Sequence, residues 1–452
     1  MKRIFSVVLL MIFLFVSGTQ DVSATEVEEQ KEEKSEEEKW QERLDAIYSM
    51  PVQSNEIAGW PQGPGTYDDA AIIMEAGTGA ILYAKNIDAQ FYPASITKVL
   101  TALVALENGK FEDPVVFSHD CVAFLQPGDS SVGLKEGDEI TLEQALYATL
   151  LASANEAAYA VGENVGKNAG HDYNWFIDEM NARCRELGGE NSHFVNTNGL
   201  HDPDHFTCAR DMALIGCELF SHPEFFEIVQ THQYEIPASD TCEQHVFQQK
   251  HKMLNPNSSQ YYEYAVGGKT GFTSDALNTL ITMADNGETQ LVCVVLHSQS
   301  GYHYSDTRAL FDYAYQNFVR TPVAGNETSE DVGEILEEEG GGYVMLPKGV
   351  EFADLEMELV PDDANDGKGT LNYTYQGNLV GTARAKLSDQ YINAHKAKIH
   401  ELDADADVRN GQDRGMAEKA VLIGLCVVWV AMVILFVRMI LQRKRQKKHR
   451  RH

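Results

Sequence analysis

The chain is short of positive charge. Its 452 residues hold 36 Lys and Arg against 68 Asp and Glu, a formal net charge of −32 at pH 7. That balance argues against nucleic acid as a partner, because a polyanion is bound through clustered cations. It points instead to a solvated surface. No Cys-x-x-Cys pair occurs. Outside a C-terminal apolar run the cysteines are Cys121, Cys184, Cys208, Cys217, Cys242 and Cys293, at irregular spacing. This argues against a metal knuckle and against a disulfide-dense scaffold, so small buried thiols are expected. No metal and no cofactor is called for. Long internal repeats are absent. Tryptophan is scarce, four residues in all. Trp60, in the loop punctuation Trp60-Pro61-Gln62-Gly63-Pro64-Gly65, reads as packing rather than as a ligand platform.

What is present begins with two targeting segments. Lys2 and Arg3 precede an apolar run from Ile4 to Val16, and Val22-Ser23-Ala24 fits a small-residue cleavage site. Residues 1–24 are therefore expected to be a secretory signal peptide. Ala420 to Val437 is apolar without interruption and extends to Leu441 past Arg438, long enough to cross a bilayer. Behind it stand Arg443, Lys444, Arg445, Lys447, Lys448, Arg450 and Arg451. By the positive-inside rule this tail, residues 442–452, stays in the cytoplasm. The body is then expected outside, held by a single membrane helix over 420–441.

Between these ends the composition divides the chain. Residues 25–60 open with a run of Glu and Lys and read as an acidic spacer. Residues 61–320 read as one large domain. Strand patterns at Ala70–Ala76 and Ala80–Lys85 flank the hairpin signal Gly77-Thr78-Gly79. A helical block follows, with a break near Ser153-Ala154-Asn155 inside the run from Leu142 to Gly162. Strands return at Tyr264–Gly268, Thr279–Ala284 and Gln290–Leu296, and Ala309–Phe318 closes as a helix. Strands, then helices, then strands predict an α/β (α+β) domain with a mostly antiparallel sheet, not a Rossmann alternation. Residues 321–394 carry short strand-like runs, Tyr343–Leu346, Phe352–Leu359, Gly369–Tyr375 and Leu379–Lys386, and read as a small β-rich domain. Residues 395–419 read as a stalk.

Three local patterns occur in order. Ser95-x-x-Lys98 opens an apolar helical stretch in which Ile96, Val99, Leu100 and Leu103 recur at helical spacing. Residues three apart share a helix face, so the hydroxyl and the amine can meet. A serine becomes a nucleophile when a base takes its proton, and a lysine is that base if it is neutral. The plainer alternative is that Ser95 caps the helix. The second pattern is Ser153-Ala154-Asn155. The third is Lys269-Thr270-Gly271, following Gly267-Gly268 on a strand. S-x-x-K, S-x-N and K-T-G together mark serine penicillin-recognising enzymes.

The surrounding residues resemble one family among these, the low-molecular-mass D-alanyl-D-alanine carboxypeptidases (peptidase family S11). Pro93-Ala94-Ser95-Ile96-Thr97-Lys98 is similar to its P-A-S-x-T-K. Ser153-Ala154-Asn155-Glu156-Ala157-Ala158 is similar to its S-x-N-D-A-A, with Glu156 for the usual Asp. Asn198-Gly199-Leu200-His201-Asp202-Pro203 and Gly268-Lys269-Thr270-Gly271-Phe272-Thr273 match two further stretches. The resemblance implies removal of the terminal D-alanine from peptidoglycan pentapeptides ending in D-Ala-D-Ala, through an ester on Ser95, with β-lactams as covalent inhibitors. It implies Lys98 as base, Ser153 as proton relay, and Asn155, Lys269, Thr270 and Gly271 as substrate contacts. The backbone N–H groups of Ser95 and Phe272 become the oxyanion hole.

One departure stands out. Where the family usually has an Arg for the terminal carboxylate, this chain reads His303-Tyr304-Ser305-Asp306, with Arg308 displaced. His303 and Arg308 are the candidates to replace it. His201 and His205 with Asp202 and Asp204 raise a metal site, which the resemblance turns into a loop under the active site. The alternatives to a carboxypeptidase are a β-lactamase, a transpeptidase and a catalytically weak wall-binding protein. The first would need a deacylating Glu in an E-x-x-L-N-type stretch, which is missing. Chemistry directed at the wall places the body on the outer face of a bacterial cytoplasmic membrane.

Overall fold

The computed structural model describes residues 34–336, 341–362 and 367–395. The expected signal peptide, the start of the spacer, nearly all of the stalk, the membrane helix and the basic tail lie outside the described residues. Among the described residues no helix is long and apolar enough to cross a membrane. Helix α1 (Glu36–Tyr48) begins in one compact unit, which ends at Arg43. There the Glu38 N–H donates to Ser35 Oγ and the Ser35 N–H to the Glu38 carboxylate, at 3.2 and 2.9 Å. This reciprocal pair satisfies donors at the helix start.

The second unit begins at Leu44. Leu44, Ile47, Val52 and Trp60 are all buried, so the latter part of the expected spacer is packed protein. Trp60 donates its indole N–H to the Leu82 carbonyl at 3.0 Å and stacks near Phe318 and Tyr375. Its reading as a packing residue holds.

Strands β1 (Ala70–Glu75) and β2 (Ile81–Lys85) form the expected hairpin. Two short ribbons lie further on: β3 (Pro114–Val116) with β4 (Glu139–Thr141), and β5 (Gln233–Ile236) with β6 (His245–Gln248). Then come β7 (Ala265–Thr273), β8 (Leu277–Asp285) and β9 (Gln290–Ser298). They join the hairpin in an antiparallel five-stranded sheet of order β2-β1-β9-β8-β7. Side chains alternate across a strand, and both faces here are covered. Ile72, Met74, Val292 and Val294 enter one core; Ile73, Cys293 and Val295 enter another.

The first core is shared with helices α2 (Thr97–Asn108), α3 (His119–Ala123), α4 (Leu142–Leu150), α5 (Asn155–Asn168), α6 (Tyr173–Glu186), α7 (Ala209–Glu218) and α8 (Pro223–Val229). The second is shared with α9 (Tyr302–Asn317) and with a further sheet. That sheet comprises β10 (Phe318–Pro322), β11 (Val332–Ile335), β12 (Gly341–Pro347), β13 (Glu356–Pro361), β14 (Lys368–Tyr375) and β15 (Asn378–Leu387). Strand-like runs expected within 321–394 fall in this sheet. Its first strand starts directly after α9, and its apolar face runs into the same core as Ile73 and Leu82. The run from Phe352 splits: a 3₁₀ turn takes Phe352–Asp354 before β13. The six cysteines in the described residues are free, and all but Cys217 are buried.

Candidate active site

Ser95 lies in a 3₁₀ turn, Ala94–Ile96, that leads into α2. Its hydroxyl caps neither element, which removes the capping reading. Two hydrogen bonds and one unusual backbone angle define the turn. Thr279 on β8 donates to the Pro93 carbonyl at 2.7 Å, Thr97 donates to the Ala94 carbonyl at 2.9 Å, and Ala94 takes a φ of 50°. Such a backbone costs a non-glycine residue about 1–3 kcal/mol and persists where its surroundings over-determine it. Gly271 on β7 makes this docking possible. A Cβ there would lie 2.3 Å from Thr279 Oγ1 and 2.9 Å from the Ser95 nitrogen. Its bare face is turned toward Ser95, so it clears space for the nucleophile's turn rather than only for a bound peptide.

Lys98 is fully buried. Its Nζ lies 3.1 Å from Ser95 Oγ, 2.8 Å from Asn155 Oδ1 and 2.6 Å from the Asn198 carbonyl. Burial, and then the Lys269 charge, pull its pKa well below the usual lysine range, against an opposing pull from Glu156. A neutral amine has two N–H groups and one lone pair. Asn155 Oδ1 and Asn198 O can only accept, so the lone pair is left facing the Ser95 hydroxyl.

The second pattern sits where α4 ends and α5 begins. Ser153 has φ 64°, another left-handed non-glycine residue. Its Oγ accepts from Lys269 Nζ at 3.0 Å. Lys269 also donates to the Thr270 carbonyl at 2.8 Å, and burial followed by the Lys250 charge pushes its pKa down to about 7. Glu156 is completely buried one turn away. One of its oxygens accepts from Ser131 Oγ (2.7 Å), Val132 N–H (2.7 Å) and Gly133 N–H (3.1 Å). The Asn155 N–H donates to the Ser130 carbonyl at 2.8 Å. Glu156 therefore anchors the loop whose Gly128, Asp129 and Ser130 line the cleft. Glu156→Ala is expected to cost about 3 kcal/mol, since it leaves three donors without a charged acceptor. Glu156→Gln, which keeps an oxygen acceptor, is expected to cost less. Urea midpoints check both.

Ser95, Ser153, Asn155, Thr270, Gly271 and Phe272 line one open cleft of about 720 Å³. Lys98 and Lys269 lie buried behind its wall. His303 lines it as well, with its ring pushed down to about 4 by burial and by the Lys252 charge. Arg308 does not. Its Nη2 donates to the Gln260 carbonyl at 3.2 Å and to the Tyr261 carbonyl, and its guanidinium lies 5.2 Å from the Tyr262 ring centre. It braces the 260–262 loop, so the displaced arginine is no carboxylate contact.

Two lining cations were missed by motif reading, Lys250 and Lys252. The only sequence signal is the short run Lys250-His251-Lys252 ahead of β7. The Asn198 carbonyl was missed too, because a backbone acceptor leaves no side-chain trace. His205, raised as a metal ligand, is buried and its pKa is pushed down to about 3 by that burial. Nδ1 accepts from the Val195 N–H at 3.1 Å, which leaves Nε2–H for Thr97 Oγ1 at 2.9 Å. It supports the Ser95 turn from below.

A hydroxyl set against a buried amine, a second amine–hydroxyl pair and an open strand beside them equip an active-serine enzyme for acyl transfer. The comparisons with known proteins fall in that class. The chain belongs to the D-alanyl-D-alanine carboxypeptidase family, peptidase family S11, whose profile matches residues 61–300. It is 28% identical over 261 residues to the D-alanyl-D-alanine carboxypeptidase DacF of Bacillus subtilis, covering 56% of this chain and 64% of that protein. It is 31% identical to DacB2 of Mycobacterium tuberculosis, also a D-alanyl-D-alanine carboxypeptidase by name, over 56% of this chain and 84% of the relative. Among solved structures, the Streptomyces K15 DD-transpeptidase superposes with a TM-score of 0.52 at 26% identity, covering 57% of this chain and 100% of that one.

Proposed function

We propose that this chain is a serine D-Ala-D-Ala carboxypeptidase that removes the terminal D-alanine of peptidoglycan stem peptides and is acylated by β-lactams. The observation that carries this is the lone-pair geometry at Lys98, with two carbonyl-type acceptors holding the amine against Ser95 Oγ. Ser95 Oγ attacks the amide carbon between the two D-alanines while Lys98 takes its proton. The N–H groups of Ser95 and Phe272 receive the oxyanion. Ser153 gives its proton to the leaving nitrogen and takes the one that Lys98 removed from Ser95, so D-alanine departs and Lys98 is neutral again. Water then attacks the ester, with Lys98 again as base, and restores Ser95. Asn155 braces Lys98 and holds a substrate amide. Lys269 and Thr270 take the terminal carboxylate, with Lys252 and the neutral His303 completing that end of the cleft in place of an arginine.

The catalytic domain in this reading spans 61–320, with the β-rich region 321–394 after it in the chain. Residues 1–24 direct export and 420–441 tether the enzyme to the outer face of the cytoplasmic membrane.

Release of D-alanine by the full-length protein from a peptide ending in D-Ala-D-Ala is the direct test. Rapid penicillin turnover without D-alanine release would make it a β-lactamase instead. A pH profile adds a second check. The free enzyme's kcat/KM reports the pKa values of its own groups. Lys269 is charged below about 7 and neutral above it, so carboxylate anchoring weakens as pH rises. A fall of kcat/KM through about 7 is expected. Lys269→Arg, which keeps its charge, is expected to lose that fall.

A further inference from the structure

We propose that Asp138, Cys242 and His245 bind a divalent transition-metal ion, zinc by its donor set, and that this ion fastens the β5–β6 ribbon to the wall of the cleft. One oxygen, one sulfur and one nitrogen from these residues lie within 4.8 Å of one another. Carboxylate, thiolate and imidazole together are a zinc set, and three protein donors leave a fourth tetrahedral position to solvent.

The histidine supplies an independent observation. His245 Nδ1 lies 3.0 Å from the Val132 carbonyl. A carbonyl only accepts, so Nδ1 carries the hydrogen and Nε2 carries the lone pair. That Nε2 is buried and has no hydrogen-bond partner. A buried acceptor without a donor is rare and costly. A histidine whose other nitrogen donates to a backbone carbonyl is the usual preparation of a metal ligand.

The other two donors are held as well. Asp138 Oδ2 accepts from the Lys135 N–H at 2.8 Å. Cys242 is buried, and its thiol donates to the Glu243 carbonyl at 3.3 Å. Zinc takes the thiolate, so binding releases the thiol proton to solvent.

The second cluster of this kind, Glu107, Glu218 and His222, differs. Arg183 already pairs with both glutamates at 2.8 and 2.7 Å.

The site reaches the cleft through the Val132 carbonyl. Val132 belongs to the loop that Glu156 anchors and whose Ser130 carbonyl holds the start of α5. Cys242-x-x-His245 is the only sequence trace, and Asp138 joins it from a distant turn.

The test uses the full-length protein in detergent, purified without chelator, and needs no catalytic turnover. Zinc is titrated against a chromophoric chelator in wild type, Cys242→Ser, His245→Ala and the control Cys217→Ser. One zinc per chain is expected for wild type and the control, with affinity at least about tenfold weaker in the two site variants. Cobalt(II) in wild type is expected to give a thiolate charge-transfer band that Cys242→Ser lacks. Wild type without stoichiometric uptake overturns the proposal. So does equal zinc affinity in the site variants, or a cobalt band that survives Cys242→Ser.

Discussion

Lys98→Ala is expected to slow acylation of Ser95 by about 10⁴-fold, the upper end of what a general base supplies. Among the described residues the amine is the one group hydrogen-bonded to Ser95 Oγ that can take its proton. Removing it also strips donors from Asn155 Oδ1 and Asn198 O, so one variant does not separate chemistry from structure. Lys98→Arg does. Arginine offers donors to both acceptors but never gives up its proton. It is expected to be nearly as slow as alanine. Single-turnover labelling by a fluorescent penicillin measures both. An arginine variant with near-normal labelling would show that Lys98 positions rather than accepts.

Gly199→Ala is the second large effect. Gly199 has φ 80°, and a Cβ there would lie 1.9 Å from the Ala94 carbonyl oxygen. That oxygen belongs to the turn that carries Ser95. The new methyl and the turn cannot both stay. The left-handed backbone adds its own penalty. A loss of about 3 kcal/mol or more is expected, seen as a lower urea midpoint. The neighbouring Asn198 carbonyl should also leave Lys98, so penicillin labelling should slow beyond what lost stability explains. A glycine whose only job was to end a loop would change the midpoint and leave the folded protein's labelling rate intact.

Much of the site was legible before the structure. Ser95, Lys98, Ser153, Asn155, Lys269 and Thr270 do converge on one cleft, because each sits in a pattern that binds its chemistry to a local backbone form. The strands β1, β2, β8 and β9 were legible from short apolar runs buried on both faces. What escaped was the long-range assembly. Lys252 reaches the cleft from a segment with no regular period. Arg308 is near in sequence but is turned toward carbonyls of another loop. Gly271 serves Ser95 across a sheet edge, a contact that spacing does not encode. The helix from Glu36 reads as charged spacer, yet Leu44 and Ile47 supply a buried stripe too short to stand out from its surroundings.

The central claim is that Ser95 forms the acyl-enzyme. Its most direct measurement is peptide mapping by mass spectrometry after brief exposure of the full-length protein to benzylpenicillin. A penicilloyl mass on the peptide carrying Ser95, absent in Ser95→Ala, is the predicted result. An adduct on Ser153 or elsewhere, or one that persists in Ser95→Ala, would contradict it.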